Sequence, residues 1–143
     1  MPYCDSSFDR KVRLEDSMLD STNIVAFVPT KDSAKAREFY EGVLGLRFVK
    51  DDGFAMVLDA NGIMIRVAKV GNDFTPAQFT ILGWQVSRIE GVVRDLQKKG
   101  VHFEIFGFFK QDELGIWTAP TGDKVAWFKD PDGNILSVSE HVQ

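Results

Sequence analysis

The chain has 143 residues, of which 44% are apolar and 27% charged, with a formal net charge of −4. A chain of this size and mix forms one globular domain, or two small halves sharing a core, and buries roughly 70% of its unfolded surface. The single Cys4 excludes an internal disulfide and a cysteine metal cluster; scattered Lys and Arg leave no nucleic-acid footprint, and no apolar run can span a bilayer.

Residues 1–22 are polar and charge-dense, with Asp5, Asp9, Arg10, Lys11, Arg13, Glu15, Asp16 and Asp20. They read as an N-terminal arm, either a disordered leader, a short helix or a segment packing on a partner subunit. The stretch lacks the apolar core of a signal peptide, so a cytoplasmic location is expected. The folded domain is expected over 23–143.

Residues 23–28 form an apolar run of strand type, closed by Pro29. Asp32 or Ser33 can cap a following helix whose Ala36, Phe39, Tyr40, Val43 and Leu44 share one face, and Gly45 stops it. Strands are expected over 46–49, 54–58 and 63–68, the last two joined by an Asn61-Gly62 turn. A polar linker follows over 71–78, and the pattern restarts. A strand over 79–86 leads to Ser87 and Glu90, spaced as a capping box. Ile89, Val92, Val93 and Leu96 mark a buried helix face, and Gly100 ends that helix as Gly45 ended the first. Strands are expected over 101–106 and 115–119, and a final hairpin over 124–129 and 134–140. In that hairpin, Asp130-Pro131-Asp132-Gly133 has the turn chemistry of a carboxylate acceptor, a fixed φ and a glycine.

Residues 58–67 align without a gap against 129–138, both built as a turn followed by an apolar strand. The chain therefore reads as two copies of one βαβββ unit, modules about 23–70 and 79–140, of α+β class.

The segment Val28-Pro29-Thr30-Lys31-Asp32, with Ala36, Phe39-Tyr40 and Leu44-Gly45-Leu46, resembles the opening of the vicinal oxygen chelate superfamily. That group holds glyoxalase I, bleomycin resistance proteins and extradiol dioxygenases. Asp130-Pro131-Asp132-Gly133-Asn134 resembles its closing signature, and Gly115-Ile116-Trp117-Thr118-Ala119-Pro120 and Val125-Ala126-Trp127-Phe128 also resemble it. The resemblance covers 23–140. It implies two modules curled into an open, mixed, barrel-like cleft, a homodimer, and in many members one divalent metal with ligands from each module.

The metal positions implied by the resemblance fall on Val25, Ile81, Arg66 and Ser137. Two aliphatic chains, a guanidinium and a hydroxyl cannot make the convergent donor set, at about 2 Å, that a divalent ion needs. A one-residue shift offers Ile24, Ala26 or Ile65, which are no better. No metal and no cofactor are expected. Alternation along strands then places Phe27 beside Val25, Gly83 and Gln85 beside Ile81, Met64 and Ala68 beside Arg66, and Ser139 beside Ser137. Such a lining suits an organic ligand. Arg66 can clamp a carboxylate or phosphate, or else form an internal salt bridge. Trp117 and Trp127 can stack on an aromatic ligand; for each tryptophan, Trp84 included, core or dimer interface is the plainer reading. Phe106, Phe108 and Phe109 flank Gly107 in a loop that reads as a lid, a dimer contact or simple packing. His102 and His141 read as a strand residue and a tail residue, with no carboxylate placed beside either.

The functional expectation is a metal-free protein binding a small organic molecule, anionic or aromatic, through Arg66, Gln85, Ser137, Ser139, Phe27, Met64, Trp117 and Trp127. The alternative is a metal-dependent lyase, isomerase or dioxygenase. Metal-free catalysis around Arg66 lacks an identifiable base, and a purely structural role is the fourth reading. Nucleic-acid and membrane partners are not expected.

Overall fold

A computed structural model describes residues 18–143. Residues 1–17, most of the expected arm, lie outside the described residues. The remainder forms two four-stranded mixed sheets with few helices, not closed into a barrel. The first module contains β1 (Val25–Thr30), α1 (Ser33–Arg37), a π-helical continuation (Glu38–Val43), β2 (Arg47–Asp51), β3 (Ala55–Ala60) and β4 (Ile63–Lys69). The second contains β5 (Thr80–Gln85), α2 (Ile89–Lys98), β6 (Trp117–Thr118), β7 (Lys124–Lys129) and β8 (Ile135–Glu140). The sheet orders, β1-β4-β3-β2 and β5-β8-β7-β6, are the same arrangement twice. In each, the first strand runs parallel to the last and the others pair antiparallel. The edge strands β1 and β5 approach one another.

Most expected elements form where the apolar periodicity places them. Asp32 caps α1, its Oδ1 accepting from Lys35 N–H at 3.1 Å. Asn61 and Gly62 both have positive φ, 52° and 88°, as a two-residue hairpin turn requires. Three local readings need correction. The capping box does not form: Arg88, at φ 55°, stands where the cap belongs and gives no side-chain bond. Instead Glu140 Oε1 accepts from Ile89 N–H at 2.9 Å, and Glu90 pairs with Lys124 Nζ at 2.8 Å. Residues 101–106 are not a strand; Phe103 bridges Phe128 alone. The Gln111 side chain takes the backbone partners there, accepting from Phe106 N–H and donating to the carbonyls of Glu104 and Gly115. The expected strand over 115–119 accordingly shrinks to Trp117–Thr118.

One core serves both modules. Val28, Leu58, Ile65 and Val67 of the first sheet and Ala126, Phe128, Leu136 and Val138 of the second are buried in it together with helix residues Ala36, Tyr40, Ile89 and Val93. Phe128 is central, with Phe39, Trp84 and Phe103 rings at 6.3, 6.5 and 5.4 Å. Trp84 is thus partly buried and packed against the core.

The turn between β7 and β8 clasps the modules together. Asp132 accepts from Thr30 Oγ1 at 2.6 Å and from Lys31 N–H at 2.8 Å. Asn134 Nδ2 donates to the Pro29 carbonyl at 2.9 Å, and buried Tyr40 donates to Asp130 Oδ2 at 2.6 Å. Burial and then the Asp130 charge push the Tyr40 phenol far above its ordinary range, so it remains a neutral donor. Gly133 carries φ +88°, and a Cβ there would lie 3.2 Å from Pro76 Cγ.

Candidate functional site

Strand alternation leaves each sheet with an open face opposite the shared core. On the first sheet, register aligns Val25, Met64, Asp59 and Arg47 in one row and Phe27, Arg66 and Val57 in the next. On the second, it aligns Gly83, Ser137 and Trp127, then Gln85, Ser139, Val125 and Trp117. Every expected site residue lies in one of these rows, although Ser137 is itself buried. They are divided between two sheets, however, and three of them belong to the first alone.

On the first sheet Val25, Phe27 and Met64 are 42%, 63% and 42% exposed, an apolar strip facing outward. Arg66 is engaged internally, its Nη2 2.8 Å from Asp52 Oδ2. That bond, with the N–H groups of Phe54 and Ala55, holds the Asp52 carboxyl at about 2, below the usual carboxylate range. Of the two readings of Arg66, the salt bridge is the one formed.

On the second sheet Ser137 is only 8% exposed. A Cβ at Gly83 would come within 2.5 Å of its Oγ, so the glycine is what allows the hydroxyl its place. Beside this row the loop after Phe106 folds onto the sheet. Phe109 stacks on Trp127 at 5.1 Å with planes 3° apart, and lies 4.8 Å from Trp117. Phe106 meets Trp127 edge-on at 5.5 Å. Trp127 Nε1 donates to Thr80 Oγ1 at 3.1 Å, which fixes the ring. Beside the cluster opens a cavity of about 730 Å³, walled by Pro76, Phe79, Phe106, Phe108, Trp127 and Lys129. Phe79 and Phe108 are largely exposed, Phe108 being stacked on Phe106 at 5.8 Å and packed against Phe109 at 4.6 Å. The cavity wall holds Trp127 but not Phe27, Met64 or Arg66.

Lys129 and Phe79 were not among the expected site residues. Lys129 follows Trp127 by two in the same strand, so alternation alone would have placed it on the same face. A further feature concerns His141. Asp123 Oδ2 lies 3.2 Å from its Nδ1 and Ser139 Oγ 2.9 Å from its Nε2, so a carboxylate does stand beside this histidine.

Among the described residues no group of three or more His, Cys, Asp or Glu side chains could hold a metal ion. The positions at which the resemblance implies metal ligands carry Val25, Ile81, Arg66 and Ser137. With Arg66 cationic and already bonded to Asp52, this set does not fit a divalent ion.

The fold and its paired open faces define a two-module α+β protein of the glyoxalase type. A family model for the glyoxalase/bleomycin resistance protein/dioxygenase superfamily matches residues 22–138, and the chain belongs to that superfamily. Among solved structures, a superfamily member from Sphaerobacter thermophilus DSM 20745 is similar with a TM-score of 0.67 and 20% identity, covering 87% of this chain and 100% of that one. A glyoxalase/bleomycin resistance protein/dioxygenase from Alicyclobacillus acidocaldarius has a TM-score of 0.64 and 14% identity, covering 88% and 96%. An integron cassette protein from the mobile metagenome of V. Cholerae has a TM-score of 0.62 and 22% identity, covering 87% and 98%. At these identities the likeness concerns the fold alone. No curated protein matches the chain in sequence. Among the described residues no helix is long and apolar enough to cross a membrane.

Proposed function

We propose that this protein binds a small organic molecule without a metal, in the aromatic cavity on the open face of its second sheet. The observation that carries the reading is the cavity itself. Its volume of about 730 Å³ falls within the range of small-molecule sites, and its wall combines several aromatic rings with one cation, Lys129. Trp127 is held rigid by Phe109 and Thr80, so stacking on it costs little ordering. Phe79 and Phe108 stand exposed to an incoming ligand. Lys129 favours a carboxylate or another anion at the cavity edge, so a planar aromatic acid matches the wall best.

On this reading Trp127 contacts the ligand, and Trp117, expected to bind it directly, lies outside the cavity wall and supports Trp127 through Phe109. Ser137 is next to Trp127 in the register but lies outside the cavity wall, its hydroxyl set against Gly83. Phe27 and Met64 fit better as a contact between two copies of the chain in a cytoplasmic homodimer, a reading favoured by the outward-facing strip they form with Val25. The test is a tryptophan-fluorescence titration with a panel of aromatic carboxylates. Saturable quenching that weakens at least about tenfold in Trp127→Ala supports the site. Equal affinity in Trp127→Ala, or no ligand across the panel, would overturn it.

A further inference from the structure

At the far end of the second open face from the aromatic cavity, three side chains are joined in series. Ser139 Oγ lies 2.9 Å from His141 Nε2, and His141 Nδ1 lies 3.2 Å from Asp123 Oδ2. The backbone explains why they meet. Ser139 lies near the end of β8, and His141, the first residue beyond the strand, turns its ring back to the Ser139 hydroxyl. Lys124 of β7 pairs with Glu140 of β8, so the next step outward sets Asp123 opposite His141. Asp123 is itself anchored, its Oδ1 accepting from Val142 N–H at 2.8 Å. That N–H, and then His141, hold the Asp123 carboxyl below its usual range, so it is ionised at neutral pH.

An ionised carboxylate on Nδ1 selects the tautomer that carries its proton there. The lone pair of Nε2 then faces the Ser139 hydroxyl. We infer that Ser139, His141 and Asp123 form a nucleophilic triad that hydrolyses small uncharged carboxylic esters. Roles and geometry identify such a triad, not the spacing of its members in the chain. The inference is independent of the aromatic cavity.

Ser139 Oγ attacks the ester carbonyl carbon while its proton passes to His141 Nε2. The tetrahedral intermediate collapses, the carbon–oxygen bond to the alcohol breaks, and the alcohol leaves with the proton from Nε2. Water then attacks the acyl-serine, again giving a proton to Nε2. The acid is released as the Ser139 oxygen leaves and recovers that proton. One ester and one water become one acid and one alcohol, with no redox change. Asp123 is a positioning residue, orienting the imidazole and stabilising its cation.

Two further features suit the reaction. Gln85 is register-paired with Ser139, and its side-chain amide makes no hydrogen bond among the described residues, which leaves a donor for the oxyanion. Gln85 and His141 also line a hollow of about 440 Å³ in which an acyl group can sit. The substrate class follows from charge. Glu140 in the wall of the hollow and Asp123 behind His141 repel an anionic substrate, whereas a neutral ester meets no such barrier.

The test uses the full chain, with p-nitrophenyl acetate as substrate and a fluorophosphonate as covalent probe, mapped by peptide mass spectrometry. The expected result is one adduct, on Ser139, formed far more slowly in His141→Gln. Ester turnover should fall about 100-fold in Ser139→Ala. Asp123→Asn should lower kcat with KM unchanged, since the substrate does not touch it. Thermal melts establish that the variants are folded; Ser139→Ala removes only one rim hydroxyl. No adduct on Ser139, labelling equally fast in His141→Gln, or turnover unchanged in Ser139→Ala would each overturn the inference.

Discussion

Replacing Tyr40 with Phe isolates the clasp that joins the modules. The ring stays, with its edge-on contact to Phe39 at 5.3 Å, so no cavity opens. What is lost is one 2.6 Å hydrogen bond from a buried phenol to the Asp130 carboxylate, which is only 5% exposed. A bond to a charged group is worth about 1.5–3 kcal/mol, and removing it leaves the acceptor buried. Asp130 keeps three donors: Asp132 N–H and Asn134 N–H on Oδ1 and Asn134 Nδ2 on Oδ2. The remaining donors hold the cost near the lower half of that range, about 2 kcal/mol. For a chain of this length that is a fall in Tm of about 6 °C. Urea unfolding should show the loss as a lower midpoint at constant slope. In a double-mutant cycle with Asp130→Asn, the two substitutions should couple by at least about 1 kcal/mol. A loss below about 0.5 kcal/mol, or strict additivity, would refute the clasp.

Other positions give independent checks. Gly133→Ala should cost about 1–2 kcal/mol by urea unfolding, combining positive φ with crowding against Pro76. Gly62→Ala, at the same φ of +88° with no atom within 4 Å, should cost less; an equal loss would remove the Pro76 contact from the account. Asp52 titrates at about 2 when folded, below the usual ~3.9 of an unfolded chain, so its contribution is present above the unfolded value and is lost as pH falls from about 4 toward 2. Asp52→Asn should flatten stability across that window, and an unchanged acid limb would show that the Arg66 bond does not form in solution.

Much of the fold was legible because its determinants are local and repeated. The 2-residue and 3.6-residue periodicities place the strands and the helix faces, and Gly45 and Gly100, at φ 79° and 94°, stop the helices as their position suggested. Failures came where a tertiary partner outbid a local one. Ser87 and Glu90 have capping-box spacing, but Glu140 reaches Ile89 N–H across the sheet and Lys124 takes Glu90. Residues 101–106 are rich in strand formers, but the Gln111 amide takes Phe106 N–H and the Glu104 carbonyl, leaving Glu104 N–H bonded to β7 at Trp127. The π-helical turn over Glu38–Val43 leaves no mark in the apolar spacing of its face.

The open faces were legible from alternation; their contents were only partly so. Arg66 carried both readings, and deciding between them required knowing that Asp52, fourteen residues earlier, returns to it across the sheet. The pairing of His141 with Asp123 was recoverable in principle. The last hairpin was placed correctly at 124–129, and its register sets Lys124 against Glu140 and hence Asp123 against His141. The aromatic cavity was not recoverable, since it depends on a loop with no periodicity folding onto Trp127.

The central claim is that the open face serves an organic ligand without a metal. Its most direct test is metal analysis of the purified, untagged protein, combined with titration of an aromatic carboxylate in EDTA and in added zinc, nickel, cobalt, manganese or iron(II). The account predicts no stoichiometric metal and the same affinity in every condition. One tightly held metal per chain, or binding that vanishes in EDTA and returns with one of these ions, would contradict it.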